Sequence, residues 1–355
     1  MDLLDIELYR EDVKKISKLR LSWDMLSNKS ILVTGATGMI GSFLIDVLMY
    51  KNNNDNLNCS IYAISRNIKK AKQKFQVYWD NNLFNYYECD INDKLSIGKK
   101  NIDIVIHAAS NTHPVAYATK PIDTILTNII GTRNLLEFSV HNNVEKFIFL
   151  STVEVYGENR GDVNKFSEDY CGYIDCNTLR AGYPESKRAG EALCQAYIKE
   201  KGLNIVIPRL SRVFGPTMLM SDTKAISQFI KNAVNKEDIV LKSKGNQLYS
   251  YSYVADAVTG VLLCIFNGAC GEAYNISSDN YDIKLKDLAK MIAGCCDKDI
   301  IFEVPDSVES AGYSKATTAI IDNSKLKSLG MNSLYNINES IERTIKIIKE
   351  LDKGE

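Results

Sequence analysis

The sequence has no excess of charge of either sign. Its 43 lysines and arginines balance 44 aspartates and glutamates, leaving a formal net charge of −1. A protein that binds nucleic acid or an anionic membrane surface through its charge needs a basic field, which this composition does not supply. The longest apolar run, Gly260 to Phe266, is far too short to cross a bilayer. We therefore expect neither nucleic acid nor a membrane among the partners.

Paired cysteines and metal-ligand clusters are also missing. The nine cysteines show no Cys-x-x-Cys spacing, and the adjacent Cys295 and Cys296 cannot form a zinc site by themselves. The three histidines, His107, His113 and His141, lack metal-ligand spacing with carboxylates. We therefore predict no metal. The odd number of cysteines, and a charged start where a secretory signal would be apolar, favour reduced thiols and a cytoplasmic location.

The sequence alternates between strand patterns and helix patterns. With 355 residues, of which 45% are hydrophobic, the chain can hold a full core and a second lobe. Near-continuous apolar strands separated by helices predict a parallel sheet that is covered on both faces, in the α/β class. The strands are predicted at 30–34, 60–65, about 84–88, 103–107, 146–151 and 204–208. After residue 208 no clean boundary is visible, which suggests a second lobe interleaved with the first.

The most informative stretch is the glycine-rich loop that follows the first strand. The strand ends at Gly35–Gly41, which has Gly-x-x-Gly-x-x-Gly spacing, and an apolar helical pattern follows at once. Glycines allow a tight turn, and a helix N-terminus offers free N–H groups to a pyrophosphate. A P-loop is excluded, because Ile40 and Ser42 stand where it needs Gly and Lys. A dinucleotide is the expected ligand, and a turn without any ligand is the alternative.

The end of the second strand bears on which dinucleotide binds. An NAD site normally has an acidic residue there, which accepts from the ribose 2′-hydroxyl. Arg66 stands there instead, and a cation suits a 2′-phosphate. We therefore favour NADP(H); the alternative is NAD(H) with Arg66 stacked on the adenine. Ligands of such sheets bind at the strand ends, where the predicted cofactor residues are Gly35, Thr37, Gly38, Met39, Ile40, Gly41, Ser65, Arg66, Asn67, Asp90, Ile91, Ala108, Ala109 and Ser110.

Tyr183 and Lys187 form a Tyr-x-x-x-Lys pair at the start of a predicted helix. Residues four apart share a helix face, so an ammonium beside the phenol would lower the pKa of Tyr183 toward the working pH. Tyr183 would then act as a general base on a sugar or alcohol hydroxyl. Thr152, at a strand end, can hydrogen-bond the same hydroxyl. Because the chain has 19 tyrosines, such a pair can also arise by chance, and its value comes from the glycine loop upstream.

In their order along the chain, these motifs resemble the extended short-chain dehydrogenase/reductase family, in its nucleotide-sugar epimerase/dehydratase branch. The resemblance spans residues 30 to about 275. The matching segments are Thr34–Gly41, His107–Ser110, Asn128 with Gly131–Glu137, Ser151–Gly157, Tyr183–Lys187 and Tyr253–Ala257.

The resemblance implies a Rossmann doubly wound parallel sheet with a smaller interleaved C-terminal α/β substrate lobe. We expect an N-terminal helical extension at 1–28. The dinucleotide-binding domain would comprise 29–208 and about 250–275, and the nucleotide-sugar lobe about 209–249 and 276–355. The same resemblance suggests a homodimer in which helices 121–140 and 184–200 pack against the second copy.

The resemblance also implies a reaction that begins with oxidation at C4 of a nucleotide-linked sugar. Tyr183 would deprotonate the C4 hydroxyl while bound NAD(P)+ takes the hydride. Tyr183 and Lys187 would also bind the cofactor, with Lys187 holding the nicotinamide ribose. Thr152 would bond the C4 oxygen. The resulting ketone makes the C5 proton acidic and turns a C6 carboxylate into a β-keto acid. The family then diverges into epimerisation, dehydration or decarboxylation.

The residues after Thr152 help to choose among these reactions. The 4,6-dehydratases carry Thr-Asp-Glu where this chain has Thr152-Val153-Glu154, so the acid for a departing hydroxyl is missing. UDP-glucuronate decarboxylases keep the glutamate, and segments 167–191 and 228–230 also resemble that subgroup. The leading expectation is decarboxylation of a nucleotide-linked hexuronate, in which Glu154 acts as acid or base at C5. C4 epimerisation and 4-keto reduction are the alternatives.

A non-catalytic dinucleotide sensor is the alternative from another class, since fold does not fix function. A sensor has no need for the proton-transfer set of Thr152, Tyr183 and Lys187, and their joint presence argues against it.

Four residues are assigned to the substrate: Arg180, Arg209, Arg212 and Tyr249. Two of them depart from the family pattern. Family members usually have Asn at the position of Arg212, in the turn that meets the diphosphate, and an Arg near the position of Tyr249. Arg212 therefore replaces the lost diphosphate clamp, or the substrate differs.

Overall fold

The structure, a computed structural model, describes residues 1–95, 97–98, 100–112, 114–307, 311, 313 and 316–353. His113 lies outside this part of the chain. The strands are β1 (Ser30–Thr34), β2 (Ser60–Ser65), β3 (Phe84–Glu88), β4 (Ile104–His107), β5 (Lys146–Phe149), β6 (Ser151–Thr152), β7 (Ile205–Leu210), β8 (Arg212–Phe214), β9 (Ile239–Leu241), β10 (Leu248–Tyr253), β11 (Ala273–Ile276), β12 (Asp282–Lys284), β13 (Ile300–Phe302) and β14 (Thr318–Ala319).

The α-helices of the described ranges alternate with these strands. They are α1 (Glu7–Ser17), α2 (Met39–Asp55), α3 (Ile68–Lys74), α4 (Pro114–Thr119), α5 (Pro121–Leu126), α6 (Thr132–His141), α7 (Gly182–Lys201), α8 (Ala225–Asn235), α9 (Val254–Asn267), α10 (Leu285–Gly294), α11 (Ser324–Lys327) and α12 (Ile337–Asp352). Within the described ranges, no helix combines the length and the apolar character that crossing a membrane requires.

The central sheet is parallel and has the order β3-β2-β1-β4-β5-β7-β11, with β6 paired to β7. Its inner strands are apolar on both faces because helices cover both sides, and β1, β4 and β5 bury nearly every residue. The predicted doubly wound sheet is confirmed. The strand order reverses between β1 and β4, so the loops that follow these two strands meet at one point of the sheet edge.

The strand predicted at 146–151 is divided in two. Leu150 separates β5 from β6, because its carbonyl accepts a hydrogen bond of 2.8 Å from the Lys187 ammonium. The strand predicted at 204–208 instead runs from Ile205 to Leu210 and therefore includes Arg209. The first difference involves a contact with α7, and in the second Arg209 and Leu210 pair with β6 and β11. The local sequence pattern contains neither contact.

A second, smaller sheet begins where the chain leaves the first. β7 ends at Leu210, and from Arg212 the chain enters β8, which pairs with β10 of the small sheet. β10 also pairs with β12 and β14, whereas β9 pairs with β13. The two strands that flank Gly245 therefore belong to different sheets. β10 lies in the small sheet, whereas α9 and β11 return to the large one, so the chain crosses between the lobes more than once.

The N-terminal segment is tightly packed against both lobes. Tyr9 and Val13, on the buried face of α1, are fully enclosed. The Tyr9 hydroxyl hydrogen-bonds the Asp46 carboxylate on α2. Asp12, also fully buried, accepts from the Arg343 guanidinium of α12 at 2.9 Å and from the Tyr253 hydroxyl at the end of β10. The first helix thus links the large sheet's helix layer to the last helix of the chain.

Asp46 makes the stability of this packing depend on pH. Burial raises the pKa of Asp46 to about 7, although the hydrogen bond from Tyr9 and the charge of Lys74 act in the opposite direction. The folded protein therefore holds the proton more tightly than the unfolded chain. The stabilising contribution is complete below the unfolded pKa, near 4, and is lost as the pH rises through 7.

We expect Asp46→Asn, which cannot ionise, to gain stability relative to the wild type as the pH rises from 5 to 8, by on the order of 2 kcal/mol. Urea unfolding at both pH values measures this. Asp55→Asn, at an exposed position of the same helix, is the control and should show no such change. A difference between wild type and Asp46→Asn that stays constant with pH would contradict the assignment.

Candidate active site

The glycine loop lies where β1 and β4 meet. Gly35 has a φ of +63°, and a Cβ on it would stand 2.7 Å from the carbonyl oxygen of Ala108. A Cβ on Gly41 would stand 2.6 Å from the carbonyl oxygen of Gly35. Neither position tolerates a side chain in this geometry. Helix α2 begins at Met39, so the N–H groups of its first turn, which lack helical acceptors, point out of the loop.

The loop after β3 is held in place from α6. The Asn134 amide donates to the carbonyls of Ile91 and Asn92, at 2.9 Å each. A Cβ on Gly131 would stand 2.5 Å from the Ile91 side chain. Gly131 and Asn134 therefore fix the position of Asp90–Ile91 beside the predicted cofactor groove.

Arg66 lies at the end of β2, with its side chain about half exposed (54%). Its guanidinium is 3.5 Å from a carboxylate oxygen of Asp123 and 3.9 Å from one of Asp90. Its neighbours are engaged locally: Ser65 contacts the Tyr86 hydroxyl, and Asn67 caps α3. Two carboxylates thus lie near the Arg66 guanidinium, which we predict to bind a 2′-phosphate.

A chain of buried side-chain hydrogen bonds connects the end of β4 to α7. Ser110 donates to Asn128 at 2.8 Å, Asn128 donates to Ser186 at 2.9 Å, and Ser186 donates to the carbonyl of Tyr183 at 2.9 Å. Asn128 lies in a π-helical turn, Thr127–Gly131, a local widening that often marks functional sites. The sequence motif included Asn128 but assigned it no role.

His107 has a structural role. It is fully buried, its ring nitrogens each lie 3.0 Å from the hydroxyls of Thr34 and Thr132, and burial lowers its pKa well below the usual range. Neither nitrogen is available to a metal.

Tyr183 and Lys187 lie on the first turns of α7 and are both buried, with 5% and 3% exposure. Burial raises the pKa of Tyr183 well above its ordinary value, and the charge of Glu154 adds to the rise. Thr152 and Arg180 act in the opposite direction. The expected lowering by Lys187 is therefore wrong for this structure.

The reason lies in where the Lys187 ammonium points. It donates to the Leu150 carbonyl at 2.8 Å and lies 4.8 Å from the centre of the Phe149 ring. Burial lowers the pKa of Lys187 to about 8, although the negative charge of Glu191 acts to raise it. Lys187 thus spans the gap between helix and sheet.

Thr152 ends β6 and caps a short 3-10 turn, Val153–Tyr156, which contains Glu154. The Thr152 hydroxyl accepts from the Glu154 N–H at 3.3 Å, and it is close enough to Tyr183 to lower the pKa of the phenol. Glu154 forms an ion pair with Arg180, and both side chains are mostly buried. The structure therefore brings three of the predicted residues, Thr152, Glu154 and Arg180, together around Tyr183.

Tyr117 is a functional candidate that the sequence patterns did not reveal. Its ring stacks on that of Tyr183 with centroids 4.7 Å apart, and the Arg180 guanidinium lies 4.8 Å from its centre. Tyr117 lines the same cavity as Glu154. The available signal was its place on the helix after β4, at the sheet edge where ligands bind.

Arg209, by contrast, does not reach this site. Its guanidinium pairs with the Glu191 carboxylate through two hydrogen bonds, of 3.0 and 2.6 Å, and also donates to Tyr156 and to the carbonyl of Glu168. Because Arg209 is the fifth residue of β7, its side chain is held between the sheet and α7. The assignment of Arg209 to the substrate is not supported by this geometry.

A cavity of about 370 Å³ opens beside Tyr117 and Glu154. Its lining includes Arg180, Arg212 and Tyr249, together with other residues of α8, β9 and β10 of the small lobe. The Arg212 guanidinium lies 3.4 Å from the centre of the Tyr249 ring. Two predicted substrate residues are thus in contact, at the boundary between the lobes.

The glycine loop and the ends of β1, β2 and β4 lie at one edge of the parallel sheet, where a dinucleotide can bind. Residues 31–277 match the sequence model of the NAD dependent epimerase/dehydratase family. The chain belongs to this family. Within it, UDP-glucuronic acid decarboxylase 6 of Arabidopsis thaliana is 32% identical over 246 residues, which are 69% of this chain and 68% of that protein. UDP-glucuronic acid decarboxylase 1 of Xenopus tropicalis is 30% identical over 268 residues. That match includes 75% of this chain but only 61% of the longer Xenopus protein.

Solved structures of the family share the fold. The UDP-glucuronic acid 4-epimerase of Bacillus cereus, solved with UDP-glucuronic acid and NAD, aligns with a TM-score of 0.78 at 26% identity, covering 91% of this chain and 99% of that one. The dTDP-glucose 4,6-dehydratase DesIV of Streptomyces venezuelae aligns with a TM-score of 0.79 at 21% identity, covering 92% and 98%. At that identity the second match supports the fold alone.

We expect Tyr183→Phe to lower turnover by about 100-fold or more, because it removes a proton-transfer hydroxyl while keeping the stacked ring. Cofactor affinity should change by about threefold at most. Steady-state kinetics and a fluorescence titration with the dinucleotide measure the two effects.

Tyr117→Phe is the matched comparison, since it removes the hydroxyl of the ring stacked on Tyr183. We expect a smaller loss of turnover from it. A larger loss in Tyr117→Phe than in Tyr183→Phe, or unchanged turnover in Tyr183→Phe, would remove Tyr183 from the proton-transfer role.

Proposed function

We propose that this protein decarboxylates a nucleotide-linked hexuronate, through oxidation at C4 to a 4-keto sugar. The observation that carries the proposal is the convergence of Thr152, Glu154 and Arg180 on Tyr183, beside a cavity of about 370 Å³ that Glu154 and Arg180 line. Its support from relatives is the 30–32% identity to proteins named UDP-glucuronic acid decarboxylase. The retained proton-transfer residues make the sensor alternative less suitable.

The dinucleotide would lie along the ends of β1, β2 and β4. The first turn of α2 would bind the pyrophosphate, and Ser110 and Lys187 would lie toward the nicotinamide end. When bound, the nicotinamide supplies a hydride acceptor for C4. Asn128 hydrogen-bonds both Ser110, in the loop after β4, and Ser186, near the start of α7. It therefore fixes these two segments relative to each other.

Tyr183 exchanges a proton with the C4 oxygen, and Thr152 hydrogen-bonds that oxygen. Because burial raises the pKa of Tyr183, the phenol is protonated at rest and first serves as a donor. To accept the C4 proton, it needs a nearby positive charge. Lys187 provides one if its ammonium turns from the Leu150 carbonyl toward the phenol.

With C4 as a ketone, the C6 carboxylate belongs to a β-keto acid. The C5–C6 bond breaks, carbon dioxide leaves, and the electron pair passes to the C4 oxygen as an enolate. Tyr183 and Thr152 stabilise that oxygen by donating hydrogen bonds. C5 then gains a proton in place of the lost carboxylate, and Glu154, held by Arg180, is placed to pass that proton from solvent to C5.

C4 epimerisation is the second candidate. The Bacillus cereus neighbour is a 4-epimerase solved with UDP-glucuronic acid, and its match extends over 91% of this chain. An epimerase keeps the carboxylate, so the two candidates differ in the mass of the product. Reduction of a 4-keto sugar is the third candidate.

We infer NADP(H) as the preferred dinucleotide, with NAD(H) as the second ligand. Arg66 stands where an NAD site normally has an acidic residue. The carboxylates of Asp123 and Asp90 already lie near the Arg66 guanidinium and partly offset its charge. We therefore expect only a modest preference for NADP(H) over NAD(H).

Exposed apolar side chains on α5 support the proposed homodimer. Ile122 and Leu126, one helical turn apart on the same face, are 72% and 44% exposed. A second copy packed there would remove both from water.

Incubation with UDP-glucuronate, UDP-galacturonate, UDP-glucose and dTDP-glucose, followed by mass spectrometry, tests the proposed reaction. We expect loss of carbon dioxide from a hexuronate and no mass change for the neutral hexoses. An unchanged mass with altered retention would identify an epimerase, and a gain of two hydrogens by a nucleotide-linked 4-keto sugar added to the panel would identify a reductase. Either outcome would overturn decarboxylation.

Arg66→Gln tests the cofactor preference. We expect the wild type to bind NADP+ more tightly than NAD+, and the variant to lose about tenfold in NADP+ affinity while NAD+ affinity stays within about twofold. Titration calorimetry measures both. A wild-type preference for NAD+ would overturn the inference.

A further inference from the structure

Arg212 is a cation that the fold positions without an ion-pair partner among the described residues. β8 and β10 run parallel, with Arg212 opposite Tyr251, and Tyr249 is two residues earlier on the same face. The Arg212 guanidinium stacks on the Tyr249 ring, 3.4 Å from its centre. The Tyr249 hydroxyl donates to the Ala316 carbonyl at 2.7 Å, which fixes the ring under the guanidinium.

The Nη1 group of Arg212 is buried from solvent and has no hydrogen-bond acceptor among the described residues. Stacking on an aromatic ring stabilises the charge but accepts no hydrogen bond in the plane of the guanidinium. Other cations of the cavity are already engaged, Arg180 by Glu154 and Lys224 by Asp222. A ligand oxygen is therefore the missing partner of Arg212.

The position of Arg212 indicates which ligand oxygen this is. Beside the large cavity lies a smaller one of about 70 Å³, and among the described residues only Glu154, Arg180 and Arg212 line both. Glu154 is close enough to raise the pKa of Tyr183, so this is the reacting end of the cavity. The lining from α8 and β9 includes the apolar side chains of Phe229 and Leu241.

The net charge around Arg212 also favours a carboxylate over a diphosphate as its partner. The three residues common to both cavities carry two positive charges and one negative charge. A single carboxylate would make the cluster neutral, whereas a diphosphate would leave it with an excess of negative charge. The planar fork of a guanidinium also matches the two oxygens of a carboxylate.

We propose that Arg212, held by Tyr249, binds the sugar carboxylate and makes this site select a nucleotide-linked hexuronate over a neutral hexose. This inference rests on the proposed function, since it names the group of that substrate that Arg212 recognises. It replaces the expectation that Arg212 clamps the diphosphate.

Titration calorimetry of the cofactor-loaded protein with UDP-glucuronate, UDP-glucose and UDP tests the proposal. We expect Arg212→Gln to lose about 30-fold in affinity for UDP-glucuronate and to stay within about threefold for the other two. Arg212→Lys should recover part of the loss, and Tyr249→Leu should lose about fivefold for UDP-glucuronate alone.

The matched control is Arg160→Gln, since Arg160 also stacks on a tyrosine, 4.1 Å from the Tyr173 ring centre, but does not line the large cavity. It should leave all three affinities within about twofold. Thermal unfolding of each variant establishes that it is folded.

Equal losses for all three ligands would assign Arg212 to the diphosphate, and no loss for UDP-glucuronate would remove it from the site; both overturn the proposal. If the wild type itself binds none of the three compounds, the proposed function fails first. The two failures are thus distinguishable.

Discussion

The buried ion pair between Glu191 and Arg209 is the interaction on which the rest of the site depends. It joins the middle of α7 to β7, with both side chains only 12–13% exposed. Ser151 also donates to Glu191, so the end of the divided strand is tied to the same carboxylate. Removing one partner of such a pair leaves an uncompensated charge and commonly costs about 3–5 kcal/mol. The position of Tyr183, two turns earlier on α7, follows from this attachment.

Close contacts along α7 complete the attachment. A Cβ on Gly190 would stand 2.6 Å from the Phe149 ring, so the helix can approach the sheet only because that residue is glycine. Lys187 enters the gap at Leu150 and uses the carbonyl that the interrupted strand leaves free. Three contacts therefore fix α7: the ion pair of Glu191 with Arg209, the close approach of Gly190 to Phe149, and the hydrogen bond of Lys187 to the Leu150 carbonyl. The N-terminal turn of the helix lies beside the cavity of the small lobe.

The small lobe contributes Arg212 and Tyr249, the two site residues that depart from the family pattern expected from the sequence. β7 and β8 are separated by one residue, yet they belong to different sheets. Arg209 therefore points to a carboxylate inside the large lobe, while Arg212 points into the cavity and stacks on Tyr249. Two arginines three residues apart in one motif thus have unrelated roles. Outside the candidate active site, the N-terminal helix α1 links the lobes through Asp12, which accepts hydrogen bonds from Arg343 and Tyr253.

The sequence by itself determined the parallel sheet, the glycine loop and the Tyr183–Lys187 pair, because apolar periodicity, turn residues and helical spacing are local properties of the chain. Only the tertiary structure decided the pairing of Arg209, the stacking of Tyr117 on Tyr183 and the direction of the Tyr183 pKa. These depend on which groups are buried together across elements distant in the chain. A local pattern shows that a lysine is four residues from a tyrosine, but the strand that the lysine contacts decides what its charge stabilises.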